Sequence, residues 1–146
     1  QLVISGDLDA IAEATALLNE RGARRVLPLN VSGAFHSPLM AESAEAMRVA
    51  LDETPFHPSA IPVYSNVTSR PGSDWPELLE RQLKSPVQWT GTMEQMISDG
   101  FETFIECGAG EVLLGLLRRV DKDKTGLRVM DSATLDETAL AFGGAA

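Results

Sequence analysis

The amino-acid sequence predicts an α/β fold for this chain of 146 residues. Apolar residues recur at helical spacing from Leu8 to Leu18, and this stretch lies between short apolar runs at residues 2–5 and 24–29. Two further runs, residues 61–67 and 101–107, are apolar enough to form central parallel strands. Helical patterns separate these runs, as the crossover connections of a parallel sheet require.

The elements follow in order from their boundary residues. Asp7 is placed to cap the first helix and Gly22 to end it. Apolar periodicity predicts further helices at residues 39–53, 75–83, 92–99 and 112–120. Residues 127–130 are expected to form an edge strand. Residues 135–146 are rich in Ala and Gly and are expected to form a frayed tail.

Composition excludes several classes of protein. The net charge of −9 argues against a nucleic-acid-binding protein, which needs a basic face. No apolar run approaches the length of a membrane span, so no membrane partner is expected. The single cysteine excludes an internal disulfide and suits a reducing compartment, which favours a cytoplasmic location.

Two other features leave alternatives open. The pairs Arg24 with Arg25 and Arg118 with Arg119 are candidate contacts for an anionic partner, or else solvated surface. The G-A-G turn after residue 107 is a candidate anion site, or an ordinary connection from strand to helix. Cys107 is expected to be a buried or half-buried small residue. His57, in a proline-containing loop, is interpreted as a surface residue.

The segment around His36 has the composition of a catalytic loop. Ser32 and Gly33 favour a tight turn after an apolar run, and Pro38 suits the first turn of a helix. This pattern predicts an imidazole held at the rim of a sheet, fixed yet reachable, as a general base requires. The alternative is a surface or capping histidine.

Motifs resemble one enzyme family over nearly the whole chain up to about Val120. They are Q-L-V-I-S-G at residues 1–6, G-A-F-H-S-P-L-M at 33–40, I-P-V-Y-S-N-V-T at 61–68, R-Q-L-K-S-P-V-Q-W at 81–89 and F-I-E-C-G-A-G-E-V-L at 104–113. In this order they resemble the malonyl-CoA:acyl carrier protein transacylases of fatty-acid synthesis.

The resemblance implies a role for several residues. It makes His36 the general base, with its ring fixed by the backbone carbonyl of Gln82 and with no aspartate in that role. It places Asn66 near the substrate. It also makes Phe35 a specificity residue, because an aromatic ring beside the base leaves little room for the extra methyl of methylmalonyl units. The implied substrates are malonyl-CoA and the acyl carrier protein thiol, with no cofactor and no metal.

The serine nucleophile of the family is not found, since the sequence contains no G-x-S-x-G. We expect it upstream of residue 1, in a missing N-terminal half that would be a partner of this chain. Ser37 is a poor substitute, because a residue rarely points at the ring of its sequence neighbour. The chain alone is therefore expected to be inactive.

By resemblance, residues 1–30 form the second half of a ferredoxin-like subdomain. Residues 31–146 form the C-terminal part of a hydrolase-like acyltransferase core with a parallel sheet. Two other functions remain open. One is the acyltransferase domain of a polyketide-type synthase. The other is a non-catalytic αβ binding module in which His36 is structural.

Overall fold

The computed structural model describes residues 1–143, in which six α-helices and two β-strands form. The helices are α1 (Leu8–Glu20), α2 (Ala41–Asp52), α3 (Trp75–Lys84), α4 (Trp89–Ser98), α5 (Val112–Val120) and α6 (Ser132–Ala141). The strands are β1 (Thr103–Cys107) and β2 (Thr125–Val129), and a short 3₁₀ helix (Pro38–Met40) precedes α2. The chain divides into two units, of which the first is Gln1–Gln88 and the second begins at Trp89.

The first unit is built on α2 and α3, which pack against each other and against the 3₁₀ helix. Its buried apolar side chains are Ala44 and Leu51 of α2 and Leu78 of α3. Asp74 caps α3 by accepting a hydrogen bond from the Glu77 backbone N–H at 3.2 Å. The helix pair thus supplies the buried apolar core of this unit.

The second unit contains a parallel β1–α5–β2 crossover. Thr103 lies opposite Thr125 and Cys107 opposite Val129 in the sheet register. The core is formed by Met93 of α4 with Leu114 and Leu117 of α5. These elements confirm the α/β class that the sequence predicts.

Gly126 of β2 permits the close approach of α5 to the sheet. A Cβ atom at this position would lie 2.9 Å from Leu114 Cδ2, which is closer than packed carbon atoms come. Leu114 is itself buried, so it has little freedom to move away. The absence of a side chain at residue 126 therefore sets the distance between helix and strand.

Three predicted strands are absent from the described part of the chain. Residues 2–5, 24–29 and 61–67 are not strands; only an isolated antiparallel bridge joins Tyr64 to Pro71. Their apolar side chains lie in solvent, with Leu2 88% and Ile61 75% exposed. An apolar run becomes a strand only when a neighbouring strand takes up its backbone hydrogen bonds, and residues 1–143 offer these runs none.

The predicted tail is wrong for most of its length, because α6 occupies Ser132–Ala141. Asp131 and Thr134 form a capping box that starts this helix. Thr138 Oγ1 also donates to the Arg128 carbonyl at 2.8 Å and so ties α6 to β2. Residues 144–146 of that prediction lie outside the described residues. The predicted edge strand is present, shifted to Thr125–Val129.

Two smaller expectations have different outcomes. Cys107 is exposed at the end of β1, so the expectation of a buried or half-buried thiol is wrong. His57 is exposed in its loop, as expected.

The predicted domain boundary at residue 30 stays a prediction. Among residues 1–143, no helix has both the length and the apolar character needed to cross a bilayer.

Candidate active site

The loop that carries His36 is fixed by its neighbour Ser37. Ser37 Oγ donates to the Ala34 carbonyl at 2.7 Å and accepts from the Leu39 backbone N–H at 3.3 Å. The second bond caps the 3₁₀ helix, in which Pro38 takes the first position. Both bonds go to backbone groups, and only 5% of Ser37 is exposed. Ser37 therefore caps the 3₁₀ helix, which agrees with the expectation that it is not the nucleophile.

His36 has a left-handed backbone conformation, with φ of 63°. This region is uncommon for residues other than glycine and is often found at functional sites. Its backbone N–H donates to the Leu83 carbonyl at 3.0 Å. The prediction that a strand leads into this loop and holds the ring at a sheet rim is wrong. The histidine is instead held at the C-terminal end of α3.

The His36 ring contacts Gln82 at two places. Nδ1 lies 2.9 Å from the Gln82 backbone oxygen and 3.1 Å from the side-chain Nε2 of the same residue. A carbonyl oxygen only accepts, so Nδ1 carries the proton in the first bond. The Nε2 atom of His36 then keeps its lone pair on an exposed ring. A ring in this state can take a proton from a reacting group.

The C-terminal end of α3 supplies these acceptors because its last carbonyls have no partner within the helix. The Gln82 carbonyl would bond the N–H four residues on, but that residue is Pro86, which has none. Ser85 is already extended, with φ of −121° and ψ of 149°. The carbonyls of Gln82 and Leu83 therefore turn to His36.

An ion-pair network holds α3 to α2 beneath this contact. Glu80 accepts from Lys84 Nζ at 2.7 Å and from Arg48 Nη1 of α2 at 3.4 Å. The hydrogen bond from Lys84, aided by Arg48, keeps the pKa of the Glu80 carboxyl below its ordinary value. Arg48 also pairs with Asp52 at 2.7 Å, and this bond raises the guanidinium pKa. The network fixes the helix that positions the ring.

The other two predicted site residues are exposed. Phe35 is 41% exposed, and its ring lies beside Gly33, where an added Cβ would be 3.6 Å from Phe35 Cε2. Asn66 is held by its backbone carbonyl, which accepts from the Gln88 N–H at 2.9 Å. The structure thus joins His36 to Gln82 directly, whereas Phe35 is placed by its own loop and Asn66 by the bond from Gln88.

The G-A-G turn in the second unit serves a helix end. Glu106 of β1 accepts from the Leu113 and Leu114 backbone N–H groups at 3.1 and 3.0 Å. The acceptor at the start of α5 is therefore a side chain of the protein, which favours the alternative of an ordinary connection from strand to helix. A sequence signal was available: Glu106 is a lone acidic residue at the end of an apolar strand, shortly before a helix.

Leu83 helps to hold His36 in place, and no sequence pattern predicts this role. It acts through a backbone carbonyl, which leaves no signature in the residue type. The available signal was the end of the helix that Pro86 imposes, because the last carbonyls of a helix have no partner within it. Among residues 1–143, no group of three or more His, Cys, Asp and Glu side chains is arranged to hold a metal ion.

Comparison with curated proteins places the chain beside one group. No family model matches the chain. The malonyl CoA-acyl carrier protein transacylase of Bacillus subtilis (strain 168) is 39% identical over an alignment of 139 residues, and the match covers 93% of this chain and 44% of that protein. A polyketide biosynthesis malonyl CoA-acyl carrier protein transacylase of the same organism is 40% identical over an alignment of 126 residues, and the match covers 84% of this chain and 44% of that protein.

Solved structures agree with the sequence comparison. The malonyl-CoA:acyl carrier protein transacylase of Xanthomonas oryzae pv. oryzae matches with a TM-score of 0.89 and 37% identity, over 93% of this chain and 44% of that one. A malonyl-transacylase in complex with a type II polyketide acyl carrier protein matches with a TM-score of 0.88 and 34% identity, over 94% of this chain and 45% of that one. The predicted resemblance is confirmed, and the chain spans less than half the length of these relatives.

Proposed function

We propose that this homologue of the malonyl CoA-acyl carrier protein transacylases provides the general-base half of an active site for malonyl transfer. The contact of His36 Nδ1 with the Gln82 carbonyl at 2.9 Å carries the proposal. It leaves the Nε2 lone pair of an exposed ring available, in a loop fixed by Ser37 and α3. The reaction passes a malonyl group from coenzyme A to the phosphopantetheine thiol of acyl carrier protein.

In the first half-reaction, His36 Nε2 accepts the proton of a serine Oγ as that oxygen attacks the malonyl thioester carbonyl. The tetrahedral intermediate collapses, the bond to sulfur breaks, and coenzyme A leaves with the proton from His36. A malonyl ester of the serine remains. The proton stays on Nδ1 and keeps its hydrogen bond to the Gln82 carbonyl throughout, so the ring does not reorient.

In the second half-reaction, the phosphopantetheine thiol gives its proton to His36 Nε2 and its sulfur attacks the malonyl ester. The ester bond breaks, and the serine oxygen takes the proton back. The exchange of one thioester for another needs no oxidant or reductant. The site must exclude water, which would otherwise hydrolyse the malonyl ester. The proposal also includes the substrate contacts that the family resemblance assigns to Phe35 and Asn66.

The serine belongs to a part of the protein outside these 146 residues, and that part is the partner we infer for this chain. Contacts to the anionic substrates fall to exposed cations. Arg24, Arg25, Arg118 and Arg119 form no ion pair within the described residues. They remain available to phosphates or to an acidic carrier protein. The free thiol of Cys107 supports a cytoplasmic location.

A chimera tests the proposal. This chain replaces the corresponding part of the Bacillus subtilis relative, which supplies the remaining sequence, including its serine. We expect the chimera to form a malonyl adduct and to pass malonyl to acyl carrier protein. His36→Ala should lower the transfer rate by about 10²- to 10⁴-fold, the usual contribution of general-base catalysis.

His57→Ala is the matched control, since His57 is an exposed loop histidine. It should leave the transfer rate within about twofold of the unmodified chimera, because a surface substitution away from the site changes little. A folded His36→Ala chimera with undiminished transfer would overturn the proposal and favour the non-catalytic binding module.

A second candidate is malonyl transfer in polyketide synthesis, because the identity to the polyketide transacylase, 40%, is level with the 39% identity to the other Bacillus subtilis transacylase. The same histidine chemistry serves both, so the acceptor distinguishes them. The chimera is assayed with a fatty-acid carrier protein and with a polyketide carrier protein in turn. Faster transfer to the polyketide carrier would favour the second candidate.

A further inference from the structure

The two contacts of His36 Nδ1 with Gln82 cannot both be hydrogen bonds as the atoms are assigned. A protonated Nδ1 donates to the backbone oxygen at 2.9 Å but repels an amide N–H placed 3.1 Å away. An unprotonated Nδ1 accepts from the amide but leaves the backbone carbonyl unsatisfied. The presence or absence of a proton on Nδ1 therefore determines which of the two hydrogen bonds forms.

The backbone decides between them. Pro86 removes the only helical donor for the Gln82 carbonyl, so this oxygen depends on the imidazole for its hydrogen bond. The oxygen and nitrogen of a glutamine amide are distinguished only by their hydrogen bonds. With the proton on Nδ1, the Gln82 amide satisfies the network when Oε1, and not Nε2, faces the ring. Gln82 then offers two acceptors to one N–H.

We propose that Pro86 and the Gln82 side-chain amide are positioning groups that set the tautomer of His36. Pro86 keeps the backbone acceptor free, and the amide oxygen adds a second acceptor from the same residue. Together they hold the proton on Nδ1 and leave Nε2 as the base. A histidine side chain free in water prefers the opposite tautomer, with the proton on Nε2, so the protein must supply this bias.

The tautomer is measured by long-range ¹H–¹⁵N correlation NMR on the chain labelled with ¹⁵N-histidine, which carries Leu2→Lys and Ile61→Lys to limit self-association. The sequence has two histidines, so His57 in its exposed loop gives an internal reference. The spectra are recorded at alkaline pH, because only a neutral imidazole has two tautomers to compare. We expect the proton on Nδ1 in His36 and mainly on Nε2 in His57.

Three variants test the two groups separately. Gln82→Met removes the side-chain acceptor at similar length, and Pro86→Ala gives the Gln82 carbonyl a competing N–H. Each should lower the Nδ1–H to Nε2–H ratio of His36 by about 2- to 13-fold, the equilibrium effect of one ordinary hydrogen bond. Gln82→Glu keeps an acceptor and should preserve the Nδ1–H form. Pro28→Ala, at an exposed proline that adjoins neither histidine, is the control and should change neither ring.

An Nε2–H form of His36 in the unmodified chain, or a ratio unaltered in Gln82→Met, would overturn the inference. The Gln82→Met result decides the matter if Pro86→Ala fails to fold. The link to catalysis rests on the proposed function, but the tautomer does not. Failure of malonyl transfer in the chimera with Nδ1–H intact would count against the proposed function alone.

Discussion

At the scale of single residues, the His36 site combines an unusual backbone with ordinary bonds. The left-handed φ of 63° and the bond from its N–H to Leu83 place the ring against α3. The pairing of His36 with Gln82 follows from resemblance, and the structure places the two in contact. The Leu83 contact and the backbone conformation could not be predicted, because neither depends on side-chain chemistry.

Phe35 offers the first prediction at this scale. In the chimera, Phe35→Ser should raise the ratio of methylmalonyl to malonyl transfer by about 10-fold or more, the discrimination that one methyl group commands in a pocket. The expected reason is volume, because the family resemblance assigns the Phe35 ring to the space beside the base. Steady-state rates with the two coenzyme A esters measure the ratio.

Phe56→Ser is the control for this experiment. Phe56 is a similarly exposed phenylalanine, 39% against 41% for Phe35, in the loop after α2. Its substitution should leave the ratio unchanged. An equal ratio in the Phe35→Ser chimera and its parent would remove Phe35 from the specificity argument.

At the scale of elements, the start of α5 depends on Glu106, since the helix has no capping side chain of its own. Glu106→Ala leaves two backbone N–H groups without their acceptor and should lower the unfolding free energy of the second unit by about 1–2 kcal/mol. Urea denaturation followed by Trp89 fluorescence in a Trp75→Phe background measures this change.

The matched control is Glu94→Ala, an exposed acidic residue of α4. It should change the unfolding free energy by less than about 0.5 kcal/mol, as surface substitutions usually do. Equal stability of the two variants would mean that water replaces Glu106 at the helix end without loss.

The start of α6 carries a pH dependence. The Thr134 backbone N–H and hydroxyl, both 2.8 Å from Asp131 Oδ1, hold the pKa of Asp131 below its ordinary value. A lowered pKa in the folded state stabilises the fold above the unfolded pKa of about 3.9, and this contribution disappears as the pH falls through the folded pKa.

Asp131→Asn isolates that contribution, because asparagine keeps an acceptor oxygen and loses the charge. The variant should be less stable than the parent at pH 7, and the difference should shrink as the pH is lowered below about 4. Thermal unfolding of both proteins from pH 7 to pH 3 measures it. A difference that stays constant over this range would contradict the assignment.

The elements also show where sequence patterns succeed. Helices α1 to α5 are predicted because their periodicity and caps are local properties of the chain. The prediction of β1 succeeds because β2, which follows it closely after α5, pairs with it in the sheet. The runs at residues 2–5, 24–29 and 61–67 have equally good strand composition. A strand also needs a neighbour, which local composition does not reveal.

At the scale of the whole molecule, the chain leaves large apolar side chains in solvent, with Leu2 88%, Leu8 87% and Ile61 75% exposed. Exposed apolar runs with unpaired backbone groups favour association with other chains.

The chain alone is therefore expected to self-associate or to precipitate. Size-exclusion chromatography with light scattering should show an apparent mass that rises with protein concentration. A variant carrying Leu2→Lys and Ile61→Lys should shift the distribution toward the monomer. A stable monomer at all concentrations would show that these surfaces need no cover.

Helix α1 has no buried residue, although the side chain of Asp7 caps its first turn. Its amide protons are consequently protected by local hydrogen bonds alone. Such a helix opens without disturbing any core, at a free-energy cost close to zero. In deuterated water the amides of α1 will exchange before those of α3 and α5, and the same helix will gain most protection when a true partner binds over it.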